Sequence, residues 1–126
     1  METKLQRRLI LVLAVVLFSG CVKQIAREET RQLSPREKAS LQLTEEGRQL
    51  LQENKPDHAI RLLEQAISLN PDNGLCYYYL AEAWLQKGNA SQAKQFNSLA
   101  KSYLNKNKEW KTRLANQADK IANLEK

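Results

Sequence analysis

Pro56-Asp57-His58-Ala59-Ile60-Arg61-Leu62-Leu63-Glu64-Gln65-Ala66-Ile67-Ser68-Leu69-Asn70-Pro71-Asp72-Asn73 is the stretch on which the fold turns. Pro56 suits a first helical turn, where a missing N–H costs nothing because that group has no intrahelical partner. Apolar residues then recur at Ala59, Ile60, Leu62, Leu63, Ala66, Ile67 and Leu69. Steps of three and four place them on one helical face, and strand alternation is absent. Asn70-Pro71-Asp72-Asn73 stops the helix, since proline cannot continue it and disfavours helical backbone at the residue before.

Upstream, Ser34-Pro35-Arg36-Glu37 spells a helix start in which Ser34 caps and Glu37 completes a capping box. That helix carries Leu41, Leu43, Leu50 and Leu51, and is predicted to end near Asn54, before the turn Lys55-Pro56-Asp57. Downstream, a third helix runs from about Leu75 to Lys87 and ends at Gly88, a natural left-handed cap. Asn89-Ala90-Ser91-Gln92 offers a second capping box for a fourth.

A spacing of 34 aligns the two halves: Gly47 with Ala81, Leu50 with Trp84, Ala59 with Ala93, Ala66 with Ala100. This pattern resembles the tetratricopeptide repeat over about residues 40–105. Leu43, Gly47, Leu50, Ala59, Leu63, Ala66 and Pro71 fall on its signature positions in the first repeat, and Tyr77, Leu80, Ala81, Trp84, Ala93 and Ala100 in the second. Glu46, Asn97 and Asn105 depart from it: the family usually has Leu, a large apolar residue and Pro there. The resemblance implies an all-α fold of two helix-turn-helix repeats plus a C-terminal capping or extended helix.

Two repeats leave apolar faces open, because each repeat buries its face only against neighbours. From Ser91 to Lys126 there is no Gly or Pro, and Phe96, Ala100, Tyr103, Trp110, Leu114, Ala118 and Ile121 stay close to one helical face. Either one long helix or a separate capping helix after Asn105-Lys106-Asn107-Lys108 accounts for this, and the in-phase stripe favours the long one. Its end, with Trp110, Leu114, Ile121 and Leu124, offers a coiled-coil seam to a partner. Trp110 reads as a capping contact in preference to an exposed anchor.

The N-terminus is of another kind. Lys4, Arg7 and Arg8 precede ten consecutive apolar residues, 9–18. A bilayer-spanning helix needs roughly 20, so the order is that of an export signal. Leu17-Phe18-Ser19-Gly20-Cys21 resembles the lipobox of bacterial lipoproteins, with a plain signal peptide or uncleaved anchor as the alternative. The resemblance implies cleavage before Cys21 and lipid on its thiol; Val22, in place of an Asp, leans towards the outer membrane. The expected divisions are 1–20 as signal, 21–33 as lipidated tether, 34–105 as repeats and 106–126 as a basic amphipathic helix.

With 126 residues the chain holds one small domain. Aromatics at 6% and only four glycines count against a β-sandwich or a glycine-rich nucleotide fold. The net charge of +6 is unevenly placed: residues 21–100 hold ten basic and ten acidic side chains, whereas 101–126 hold seven and three. The excess thus lies in a leader and a tail, which argues against nucleic acid as a partner; the tail reads as a wet helix face, with anionic lipid or an acidic protein as alternatives.

No catalytic or metal constellation is present. His58, the one histidine, sits in a helix's first turn without ligand partners, and the serines and Cys76 lack a base. Cys76 reads as a small buried residue, with a reactive thiol as the alternative. No cofactor is expected beyond the covalent lipid on Cys21. What remains is recognition. By the resemblance, the first helix of each repeat lines a concave groove for a protein or peptide, presenting Thr44, Glu45, Arg48 and Gln52, then Tyr78, Tyr79, Glu82 and Gln86. Tyr77, Tyr78 and Tyr79 cannot share one core, since adjacent helical residues point about 100° apart. Tyr77 is assigned inward; Tyr78 and Tyr79 either face an interface or pack against the fourth helix or the tether. The reading is a lipid-anchored periplasmic adaptor, with a self-associating structural lipoprotein as the alternative and homo-oligomers open in both.

Overall fold

The computed structural model describes residues 31–126, together with Lys4 and Gln6. Cys21, the rest of the expected signal and the expected tether up to residue 30 lie outside the described residues. Within residues 31–126 five helices follow in order: α1 (Pro35–Gln52), α2 (Pro56–Leu69), α3 (Gly74–Gln86), α4 (Ala90–Leu104) and α5 (Lys108–Leu124). None of the described helices is long and apolar enough to cross a membrane.

Each start is set by a polar side chain or a proline. Ser34 Oγ accepts from the Glu37 N–H at 3.2 Å while Glu37 Oε2 accepts from the Ser34 N–H at 2.8 Å, the expected capping box. Pro56 opens α2. Asn73, Asn89 and Asn107 cap the remaining three helices, each Oδ1 accepting from an N–H of the first turn. The two hairpin turns close in the same way. Asn54 at φ 58° and Gly88 at φ 72° occupy the left-handed region. From each, two N–H groups reach back over the last turn: Asn54 to Leu51 and Lys55 to Leu50, then Gly88 to Leu85 and Asn89 to Trp84. These positions are 34 residues apart, so the repeat is written in its turns as well as in its core.

α1 packs on α2 and α3 on α4 as antiparallel hairpins; α1, α3 and α5 are successive neighbours on one side. The second helix of each repeat supplies small residues to the contact. Ala59, Ala66, Ala93 and Ala100 have no exposed surface, and neither do Leu63 and Leu80. Gly47 lets α1 approach α2 so closely that a Cβ there would stand 2.8 Å from Leu63 Cγ. Ala81, one repeat later, is also fully buried.

Three sequence expectations are corrected. The stretch 91–126 is two helices, not one. Asn107 Oδ1 takes the N–H groups of Glu109 and Trp110 at 2.8 and 3.4 Å, and a side chain that satisfies the orphan donors of a new helix breaks the old one. The coiled-coil seam is largely consumed inside the fold, with Leu114 and Ile121 each 3% exposed; Leu124 alone of the set stays open, at 46%. α5 thus packs against α4 and α3, where a third repeat would begin, and covers the end of the second. At the other end Leu41, expected in the apolar face of α1, is 37% exposed.

Candidate functional site

The three inner helices enclose a concavity of about 370 Å³. Arg48 and Gln52 line it from α1, and Tyr78, Tyr79, Glu82 and Gln86 from α3. Six of the eight residues assigned to the groove from the sequence come together there. Their spacing explains it, since 48 and 52, and 78, 82 and 86, are one helical turn apart and so share a face. Leu51 contributes to the floor, and α5 adds Arg113 and Lys120 as a far wall.

Two further groove assignments change. Thr44 is 3% exposed, its Oγ1 donating to the Ser40 carbonyl and accepting from Asn73 Nδ2, so it belongs to the core. Glu45 is exposed beside the concavity, not in its lining, and holds Arg48 through the Arg48 Nε–Glu45 Oε2 bond of 2.8 Å. That bond pulls the Glu45 carboxyl below its ordinary range and raises the Arg48 guanidinium. Asp57 is likewise lowered, by its pairing with Lys87 at the rim of the α2 start.

The tyrosine run separates as its geometry requires. Tyr77 is buried, stacks on Tyr103 with ring centroids 5.5 Å apart, and donates its hydroxyl to the Pro71 carbonyl at 2.8 Å. Tyr78 meets Tyr79 edge-on at 5.3 Å and Trp110 at 5.2 Å. Trp110 is thus a capping contact, and Arg113 lies 4.9 Å above its ring, an arrangement that holds the cation at the groove wall. Burial, ahead of any charge, pushes the hydroxyls of Tyr78 and Tyr79 above their ordinary value. Both rings are half-buried and keep a face towards the concavity, the disposition of an aromatic contact residue.

Sequence reasoning did not find the polar bonds that hold this site in shape. Gln117 of α5 is 1% exposed, and its Nε2 donates to the Tyr78 carbonyl at 3.1 Å and to Glu82 Oε1 at 2.8 Å. Its Oε1 accepts from Asn97 Nδ2 at 2.9 Å, which also donates to the Leu114 carbonyl. Asn97 therefore stands where the repeat pattern has an apolar residue because it binds the capping helix. At the other end Asn73 Nδ2 donates to Ser40 Oγ and Thr44 Oγ1, and Ser40 Oγ donates to the Ala66 carbonyl. The only sequence signal for these residues was a polar side chain at an inward helical position.

Cys76 is fully buried, its Sγ donating to the Leu63 carbonyl, and burial pushes the thiol up to about 12. Such a group is not a thiolate at neutral pH, and the reactive-thiol alternative is set aside. His58 is exposed, and among the described residues no three His, Cys, Asp or Glu side chains could hold a metal ion.

Paired antiparallel helices repeating at 34 residues, with a solvent-facing groove on their first helices and a capping helix at the end, define a helical-repeat interaction module. Comparison with known families matches residues 50–116, just over half of the chain, to the tetratricopeptide repeat, and the chain belongs to that family. Neither curated proteins nor solved structures give a match. Tetratricopeptide repeats are, as a class, protein-binding modules.

Proposed function

We propose that the chain is a lipid-anchored adaptor of the bacterial periplasm, not an enzyme, which holds a segment of a partner protein in the concave groove. Cys21 carries the lipid, residues 22–33 act as the tether, and the outer membrane is the favoured site. The observation that carries the binding role is the convergence of Arg48, Gln52, Tyr78, Tyr79, Glu82 and Gln86 on one depression. Half-buried tyrosines supply contact area at low conformational cost, and charges of both signs at the walls set register.

Photocrosslinking from position 79 in intact bacteria tests this, with Gln65 on the exposed side of α2 as the control position. A discrete adduct with another protein, absent from position 65, is the expected result. Adducts only between copies of the chain would favour the structural lipoprotein, and no adduct from 79 would remove the groove. For the anchor, Cys21→Ala is expected to release the exported protein from the membrane fraction. Retention after export would show that the lipid is not what holds it.

A further inference from the structure

A second depression lies on the other flank of α5. On that helix Arg113, Gln117 and Lys120 face α3 and the concave groove, whereas Lys111, Ala115, Ala118 and Ala122 point the opposite way. Between α4 and this outer flank runs a furrow of about 380 Å³, floored by Leu114, Ala115 and Ala118. A smaller hollow of about 90 Å³ continues it past Ile121 and Ala122, sharing Asn97 and Ala118 with the first. Among the described residues nothing packs over it, and it occupies the place where a solenoid would seat its next helix. Ala115, Ala118 and Ala122 are exposed and lie on one face, so a backbone can approach closely.

The rim is mostly cationic. Lys94 and Lys101 stand along α4, seven residues apart and so on one side of it, and Lys111 stands on α5. From residue 83 to 108 the chain has no acidic side chain, and Glu125 is the only carboxylate lining either hollow. Among the described residues no carboxylate pairs with these three lysines.

We infer that the furrow between α4 and α5 docks an amphipathic helix with acidic flanks, supplied by another protein. A concave trough between two helices fits a cylinder better than it fits a plane of lipid headgroups. Its floor is apolar and its walls are cationic, so the occupant presents a narrow apolar stripe bordered by Glu or Asp. A second copy is a poor match. Two-fold pairing would set one lysine-bearing rim against the other. α1, at the opposite end of the fold, offsets its acids with Arg36, Lys38 and Arg48. The chain's own leader carries Lys4, Arg7 and Arg8, the same sign as the rim. The surface is distinct from the concave groove and does not depend on that groove's role.

The test uses the full chain in detergent micelles and a fluorescein-labelled synthetic helix of roughly 18 residues, five turns, with Leu and Ala on one face and Glu on both flanks. A twin peptide has Lys in place of Glu. Anisotropy is expected to rise with the Glu peptide and not with its twin. Ala118→Glu, which puts bulk and negative charge on the floor, is expected to weaken binding by on the order of tenfold or more. The double variant Lys101→Glu/Lys111→Glu changes only exposed side chains and is expected to reverse the preference towards the Lys peptide. Equal binding of the two peptides, or an unchanged preference in the double variant, would overturn the proposal. So would loss of binding on Tyr79→Ala, which would move the peptide to the concave groove. A dimer dispersed by Ala118→Glu would assign the furrow to a second copy, and binding to phosphatidylglycerol vesicles in place of the peptide would assign it to lipid.

Discussion

At the scale of single residues, the site depends on how closely α1 and α2 can approach. Gly47 is a helix-interior glycine, which ordinarily costs stability relative to alanine by about 0.5–1 kcal/mol. Here the added Cβ would meet Leu63 Cγ and Cδ2, both at 2.8 Å, and Leu63 is fully enclosed with nowhere to turn. The steric term wins. Gly47→Ala is expected to lower stability by about 1–3 kcal/mol in a thermal or urea melt, whereas the fold buries an alanine at the equivalent position 81. A rise in melting temperature would mean that helix propensity outweighs packing at this position. Gly88 differs in kind: it has open space around it, and its requirement is the left-handed backbone alone.

At the scale of elements, what decided the count of helices was a single asparagine. Asn107→Ala removes the acceptor that holds two N–H groups of α5, a loss of about 1 kcal/mol. The expected signature is local: faster amide exchange at Glu109 and Trp110, with the amides of α2 little changed. Uniform acceleration across the chain would instead mean that α5 unfolds only with everything else. This break shows where sequence reading ends. Ser34, Pro56, Pro71 and Gly88 act on backbone within a few residues of themselves, so their effects are legible in one dimension. The apolar stripe from Phe96 to Ile121 stays in phase through the turn by position alone, and nothing local distinguishes a continuous helix from two that each bury part of it, as Ala100, Leu114 and Ile121 are buried while Tyr103 and Ala118 are exposed. The groove followed the same division. Residues on α1 and α3 were legible through the repeat, while Arg113 and Lys120 were hidden in what reads as the wet face of a tail, because only the docking of α5 turns them inward.

At the scale of the whole molecule, α5 is fastened by amides as well as by Leu114 and Ile121. Asn97→Leu restores the residue type the repeat favours but strands the Gln117 oxygen, and Gln117→Leu removes one bond each from Asn97, the Tyr78 carbonyl and Glu82. Each single change is expected to cost about 1–3 kcal/mol, the penalty for a buried group left unpaired. The double change is expected to cost less than the sum, by about 0.5–3 kcal/mol of coupling in a urea-denaturation cycle. Strict additivity would show that the two amides act independently. Their pairing was not legible beforehand because it joins positions twenty residues apart on different helices. The same bonds have a thermodynamic consequence. Glu82 borders the concave groove and Asn97 the furrow, and Gln117 is bonded to both. An occupant of either depression that tightens or loosens Gln117 therefore changes the free energy of filling the other. By linkage, the factor by which the first occupant alters the affinity for the second equals the factor in the reverse direction. The two amides that keep the last helix in place thus also join a wall of one depression to a wall of the other.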